Sequence, residues 1–150
     1  MHLNLHVLSP HGHSTVAELS ESPLASLRLR LYPALTTLAE NGATITFGDT
    51  ITTKPNTLVV GKIGAANIEV RTPLWLEHMR CVQKSGARVV LDYTDHHLVA
   101  NSVMTPFYTE AVKIADRIAV PNSALKTALL DYCGTGKDIR VIDDLLEYEP

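Results

Sequence analysis

The chain has 150 residues, 45% of them hydrophobic and 19% charged, with a net charge of −3. That length suits one domain with a substantial core, and that balance excludes a disordered chain. The 13 lysines and arginines are scattered rather than gathered into a stripe, which argues against a nucleic-acid surface.

The opening MHLNLHVLSP has no basic leader, and its short apolar run is broken by His and Asn, so residues 3–8 read as a first strand rather than a signal peptide. No window approaches the apolar length of a membrane span. Leu24, Leu27, Leu31, Leu35 and Leu38 then recur at spacings of three and four, which predicts a helix closed by Asn41-Gly42, with a kink or a late start at Pro33. Further strands are expected at 43–47, 57–60, 88–91, 117–120 and 139–142, several of them short, continuous and β-branched. Between them the spacing predicts a helix opening after Thr72-Pro73 and ending at Ser85-Gly86, and another over about 105–115. A last helix is capped by Asn122 or Ser123 and stops at Gly134-Thr135-Gly136. The link from Phe47 to Thr57 contains no helix.

Strands alternating with helices predict an α/β, Rossmann-like doubly wound fold: a mostly parallel sheet of about six strands with helices on both faces. With no repeat, linker or low-complexity tract, residues 1–150 are expected to form a single domain. Cys81 and Cys133 lie on predicted helices beside apolar neighbours, which suggests inert buried thiols in a reducing, cytoplasmic setting.

In open parallel sheets ligands gather outside the carboxyl ends of the strands. There the stretch VVLDYTDHHLV releases Asp92, Asp95, His96 and His97 in quick succession. The first strand opens into Ser9-Pro10-His11-Gly12-His13-Ser14, the third into Gly61-Lys62, and the fifth into Pro121-Asn122-Ser123. A carboxylate beside an imidazole can accept a hydroxyl proton, and paired carboxylates raise one another's pKa, so Asp92, Asp95 and His96 are candidate acid–base or hydrogen-bonding groups. The alternative is an Asp that shapes the turn beside a solvated His.

None of the spacings among His6, His11, His13, His96 and His97 matches a zinc pattern, and no metal is assigned. Gly134-Thr135-Gly136-Lys137 fails as a phosphate loop, because Asp131 and Asp138 stand where Gly and Ser or Thr are needed. No Gly-x-Gly-x-x-Gly follows the first strand, so no dinucleotide or other cofactor is assigned.

Taken in order, Ser22-Pro23-Leu24-Ala25-Ser26-Leu27-Arg28-Leu29-Arg30, Leu38-Ala39-Glu40-Asn41-Gly42-Ala43, Val59-Val60-Gly61-Lys62, Val89 to Asp95 and Ala115-Asp116-Arg117-Ile118-Ala119-Val120-Pro121-Asn122-Ser123 form a familiar series. It resembles the N-terminal domain of retaining, nucleotide-sugar-dependent glycosyltransferases of the two-Rossmann-domain GT-B type. The resemblance implies the acceptor-side half of a cleft, facing a donor domain that is not in this chain. It implies a nucleotide-sugar donor held mostly by that second domain, and a sugar or lipid-linked acceptor at the cytoplasm or the inner membrane face. Asp92, Asp95 and His96 would then be acceptor-side catalytic groups. His11, Gly12, His13 and Ser14 would form a lip, Arg28 and Lys62 would contact phosphate or sugar oxygens, and Asn122 and Ser123 would add substrate contacts.

Glu69 and Glu77 have the eight-residue spacing of the family's donor-domain glutamates but straddle Pro73 in the wrong half, so the spacing is coincidence. Because half a cleft cannot orient both reactants, a term worth up to about 7–11 kcal/mol, the chain alone is expected to be nearly inactive. Two other readings remain: a non-catalytic Rossmann-like binding module, and a flavodoxin-like phosphate enzyme using Asp92 and Asp95 with magnesium.

Overall fold

The β-branched runs pair side by side in a computed structural model that describes residues 2–10, 12–99 and 101–144. The strands are β1 (Asn4–Leu8), β2 (Thr44–Phe47), β3 (Thr57–Val60), β4 (Arg88–Asp92), β5 (Arg117–Val120) and β6 (Asp138–Val141), and every pairing is parallel in the order β2-β1-β3-β4-β5-β6. One register row, Leu8–Val60–Leu91–Ile118–Ile139, crosses five strands and is buried throughout. Because side chains alternate across a strand, Leu5, Val7 and Val59 point the other way.

Each face is covered by its own helices, so the sheet is doubly wound. On the Leu8 side, α2 (Ile68–Lys84), α3 (Thr105–Ile114) and α4 (Ser123–Cys133) bury Trp75, Met79, Phe107, Val112, Leu125 and Leu129. On the Val7 side, a 3₁₀ turn (Ala17–Glu21), a π-helical segment (Leu27–Leu31) and α1 (Tyr32–Glu40) bring Leu19, Leu27, Leu31 and Leu35 onto the sheet. The helix stops at Asn41-Gly42, where Gly42 adopts φ 84 and its amide, with that of Ala43, closes on Ala39 and Leu38.

Three local features depart from the sequence expectation. The first α-helix does start late, with Pro33 in its first turn, but the chain enters it through a widened turn: the Tyr32 amide reaches the Leu27 carbonyl, which makes room for a ring that cannot donate. The second helix begins at Ile68, five residues before Pro73, because Asn67 takes a left-handed backbone (φ 54) and its carbonyl accepts from Val70 and Arg71. Cys81 is exposed rather than buried; its thiol donates to Glu77 at 3.2 Å, a contact that pushes its pKa up and so disfavours the thiolate.

The helix-free link from β2 to β3 has its own anchor. Asp49 Oδ1 accepts from Trp75 Nε1 at 2.7 Å and from Arg71 Nε at 2.9 Å, while Ile51 packs against the core on the α2 side. Under this link the buried His6 ring, protonated on Nε2, donates to the Gly48 carbonyl at 3.2 Å and accepts at Nδ1 from the Thr46 hydroxyl at 2.9 Å. Asp49→Ala strands a buried indole N–H and a nearly buried guanidinium, so urea denaturation should show a loss of about 1–3 kcal/mol. An unchanged midpoint would mean that the link is held by its apolar contacts alone.

Candidate functional site at the carboxyl edge of the sheet

The exits of the strands share one edge, here called the crest. Its organising residue is Arg30, only 7% exposed, carried there by the π-helical segment. Its Nε and Nη2 donate to Asp92 Oδ1 at 2.9 and 2.8 Å, and its Nη1 donates to the Ile142 carbonyl at 2.5 Å and to Asp144 Oδ1 at 2.7 Å. One guanidinium therefore joins the first helix, the end of β4 and the exit of β6. Burial pushes the Asp92 carboxyl up, opposed by the two donors of Arg30.

In front of Arg30 lies an open cavity of about 190 Å³, lined by Leu24, Ser26, Lys62, Thr94, Asp95 and Asp144 among others. Lys62 reaches it because Gly61 lets β3 end hard against its neighbours: a β-carbon there would stand 3.3 Å from the Leu8 carbonyl and 3.4 Å from Leu31. Lys62 Nζ donates to Asp95 Oδ2 at 2.6 Å, and this contact holds the Asp95 carboxyl below its ordinary value. Asp95 is thus an ionised hydrogen-bond acceptor at neutral pH and a weak base.

Behind Asp95 the aromatic and imidazole groups pack together. The buried Tyr93 hydroxyl shares a hydrogen bond with His96 Nδ1 at 3.1 Å and accepts from the Leu98 amide at 3.3 Å, and burial pushes its phenol up to about 12. His97 stacks on Tyr108 with ring centres 4.8 Å apart; its Nε2 lies 3.9 Å from Asp95 Oδ2 and has no hydrogen-bond partner among the described residues. Burial lowers its pKa, so the ring is neutral at pH 7.

Of the residues the sequence singles out, the structure gathers Lys62 and Asp95 at the cavity and places His96 just behind. Asp92 does not enter the cavity as a free acid, nor does it pair with Asp95; it is the buried counter-ion of Arg30. Arg28 turns back to donate to the Ser22 carbonyl at 2.6 Å. His13 meets Ser9 at 3.3 Å, and the Ser14 amide is held by Glu18 at 2.6 Å, while Gly12 is exposed with φ 68. His11 lies outside the described residues. Asn122 is the cap of α4, accepting from the Leu125 amide at 2.9 Å, and Ser123 begins that helix. None of Gly12, His13, Ser14, Arg28, Asn122 and Ser123 lines the crest cavity.

Sequence reasoning missed Arg30 and Asp144. In a regular helix of about 100° per residue, Arg28 lies nearer the leucine stripe than Arg30, so Arg30 reads as a flank residue. The widened turn changes that phase, and Pro33 is its only trace in the sequence. No group of three or more His, Cys, Asp or Glu placed to hold a metal occurs among the described residues. A larger depression, about 600 Å³, is at the opposite edge. Two of its polar groups serve the fold there: Asp116 accepts from the Val89 amide at 2.7 Å and Gln83 donates to the Ile114 carbonyl at 2.8 Å.

No family model, curated protein or solved structure matches the chain. No described helix is long and apolar enough to cross a membrane.

Two outcomes follow from the buried groups. Arg30→Met leaves Asp92 buried without a partner and should cost about 3–5 kcal/mol in equilibrium unfolding, whereas Arg30→Met with Asp92→Leu should recover most of that loss. A double variant as weak as the single would show that the pair is not the source of the effect. His6 and His97 are both held below their usual 6.5, chiefly by burial. Each stays neutral in the fold and takes up a proton on unfolding, so their stabilisation is full above pH 6.5 and is lost as pH falls through the lowered folded values. The Tm should therefore drop between pH 7 and 5, with a shallower slope when both are replaced by Gln; parallel slopes would transfer the effect to other groups.

Proposed function

We propose that the crest holds the acceptor in a glycosyl-transfer reaction, this chain forming the acceptor wall of a GT-B-type cleft while a second domain carries the nucleotide-sugar donor. The observation that supports this most directly is the Lys62–Asp95 pair, 2.6 Å apart, in a shallow cavity of mixed charge above an all-parallel sheet. At about 190 Å³ the cavity is smaller than the roughly 300–1,000 Å³ of self-contained ligand sites, which fits one side of a cleft better than a whole one.

In this reading an ionised Asp95 accepts a hydrogen bond from an acceptor hydroxyl, and Lys62 donates to a neighbouring hydroxyl or phosphate oxygen. The acceptor oxygen forms its bond to the anomeric carbon as the bond from that carbon to the diphosphate oxygen breaks. The nucleoside diphosphate leaves with the electron pair, and the hydroxyl proton is released to a base in the closed cleft. Asp95 orients the hydroxyl; its depressed pKa makes it a poor proton acceptor. Arg30 spends its donors on Asp92, Ile142 and Asp144, and so positions the cavity wall. The free thiols of Cys81 and Cys133 accord with a reducing, cytoplasmic setting.

A non-catalytic binding module is favoured by one fact: Asp92 is engaged in a buried ion pair, which removes one of the acids a catalyst would use. Transfer assays with the chain joined to a GT-B donor domain, run over UDP- and GDP-sugars, separate the two. Turnover reduced about 10²-fold or more by Asp95→Asn and by Lys62→Met supports the transferase. Sugar binding without turnover supports the module, and wild-type turnover in both variants discards this assignment of the site.

A further inference from the structure

Two hollows meet at Lys62. Besides the charged cavity, a second one of about 330 Å³ is walled by Pro10, Leu24, Ile63, Ala65, Ala66 and Met104, and Lys62 and Leu24 line both. Arg71 also borders it, but its guanidinium is engaged by Asp49 and by the Ala66 carbonyl. The apolar character continues outward in sequence. Val99 and Val103, 77% and 61% exposed, belong to the β4–α3 connection that carries Met104, and Val70, 71% exposed, lies in the first turn of α2 just after Ala65 and Ala66.

A wholly polar ligand spanning both hollows would press hydroxyls against walls that offer them few partners. A ligand with an apolar portion would remove that portion and these walls from water together. The lysine suits the border, since its methylene stem can lie along apolar surface while its ammonium stays with Asp95. Met104 supplies an unbranched side chain that adapts to tails of different shape.

We propose that the second hollow receives the apolar tail of an amphiphilic acceptor whose hydroxylated head sits beside Lys62 and Asp95. The head group rests on the sugar-transfer reading; the tail rests on the walls of the hollow alone. Acceptors would then be selected by a hydrocarbon or aryl substituent next to the reacting sugar, rather than by a second sugar.

Amide-resolved NMR titration of the whole chain with methyl β-D-glucoside, and with octyl β-D-glucoside below its micelle-forming concentration, tests this. The octyl compound should bind at least tenfold more tightly and should add shifts at Ala65, Ala66 and Met104 to those at Thr94 and Asp95. In Ala65→Phe, which fills the hollow from an exposed position, and separately in Met104→Glu, the ratio of the two affinities should fall to about one. Equal affinities in the parent chain, octyl-specific shifts centred elsewhere, or a ratio untouched by both variants would overturn the tail site, even if methyl glucoside still shifts Thr94 and Asp95 and the sugar reading stands. Octyl-dependent shifts at Ala65 with no methyl glucoside binding would uphold the tail site and remove the sugar head. Binding of neither compound would overturn both.

Discussion

The arrangement at the crest depends on one buried ion pair. Arg30 and Asp92 are almost fully withdrawn from water, and such a pair is tolerated only when the remaining donors and lone pairs are also met. The guanidinium meets that requirement by reaching the Ile142 carbonyl and Asp144 as well, so three parts of the chain far apart in sequence are held at one point. Because Asp92 is the last residue of β4, fixing it also fixes where Tyr93, Thr94 and Asp95 begin.

From that point outward the environment changes within a few residues. The Leu8–Val60–Leu91–Ile118–Ile139 row is dry, whereas Lys62 and Asp95, only two and four residues beyond it along β3 and β4, are partly solvated and paired. This steep change sets the chemistry. Asp95 is kept ionised by a partner in water, while His97, stacked on Tyr108 behind it, is kept neutral by burial. Groups whose protonation is pulled apart by their surroundings in this way can play different roles at one site.

The strand runs were legible because their β-branched residues leave few alternatives: the structure differs from the expected boundaries by a residue or so at each. The Asn41-Gly42 and Ser85-Gly86 stops and the Asn122 cap were legible for a similar reason, since each is a local hydrogen-bonding solution that needs only its own neighbours. Asn67 was not, because a left-handed non-glycine start carries no strong signature, and Pro73 offered a more familiar one. At the site, the crest position of Lys62 and Asp95 followed from strand order. The burial of Asp92 did not, because it depends on an arginine 62 residues earlier.

By itself the sequence determined the alternation of strands and helices, hence the parallel sheet, and the set of polar residues that must emerge at its carboxyl edge. Those are consequences of period and local capping. Only the tertiary structure decided which of these polar residues work together. Arg30 was chosen over Arg28 by a widened helical turn, Asp92 was withdrawn by the partner it met, and Lys62 was brought to Asp95 by the close passage of β3 at Gly61. A side chain's solvation and charge are set by what lies against it, and those neighbours are adjacent in space rather than along the chain.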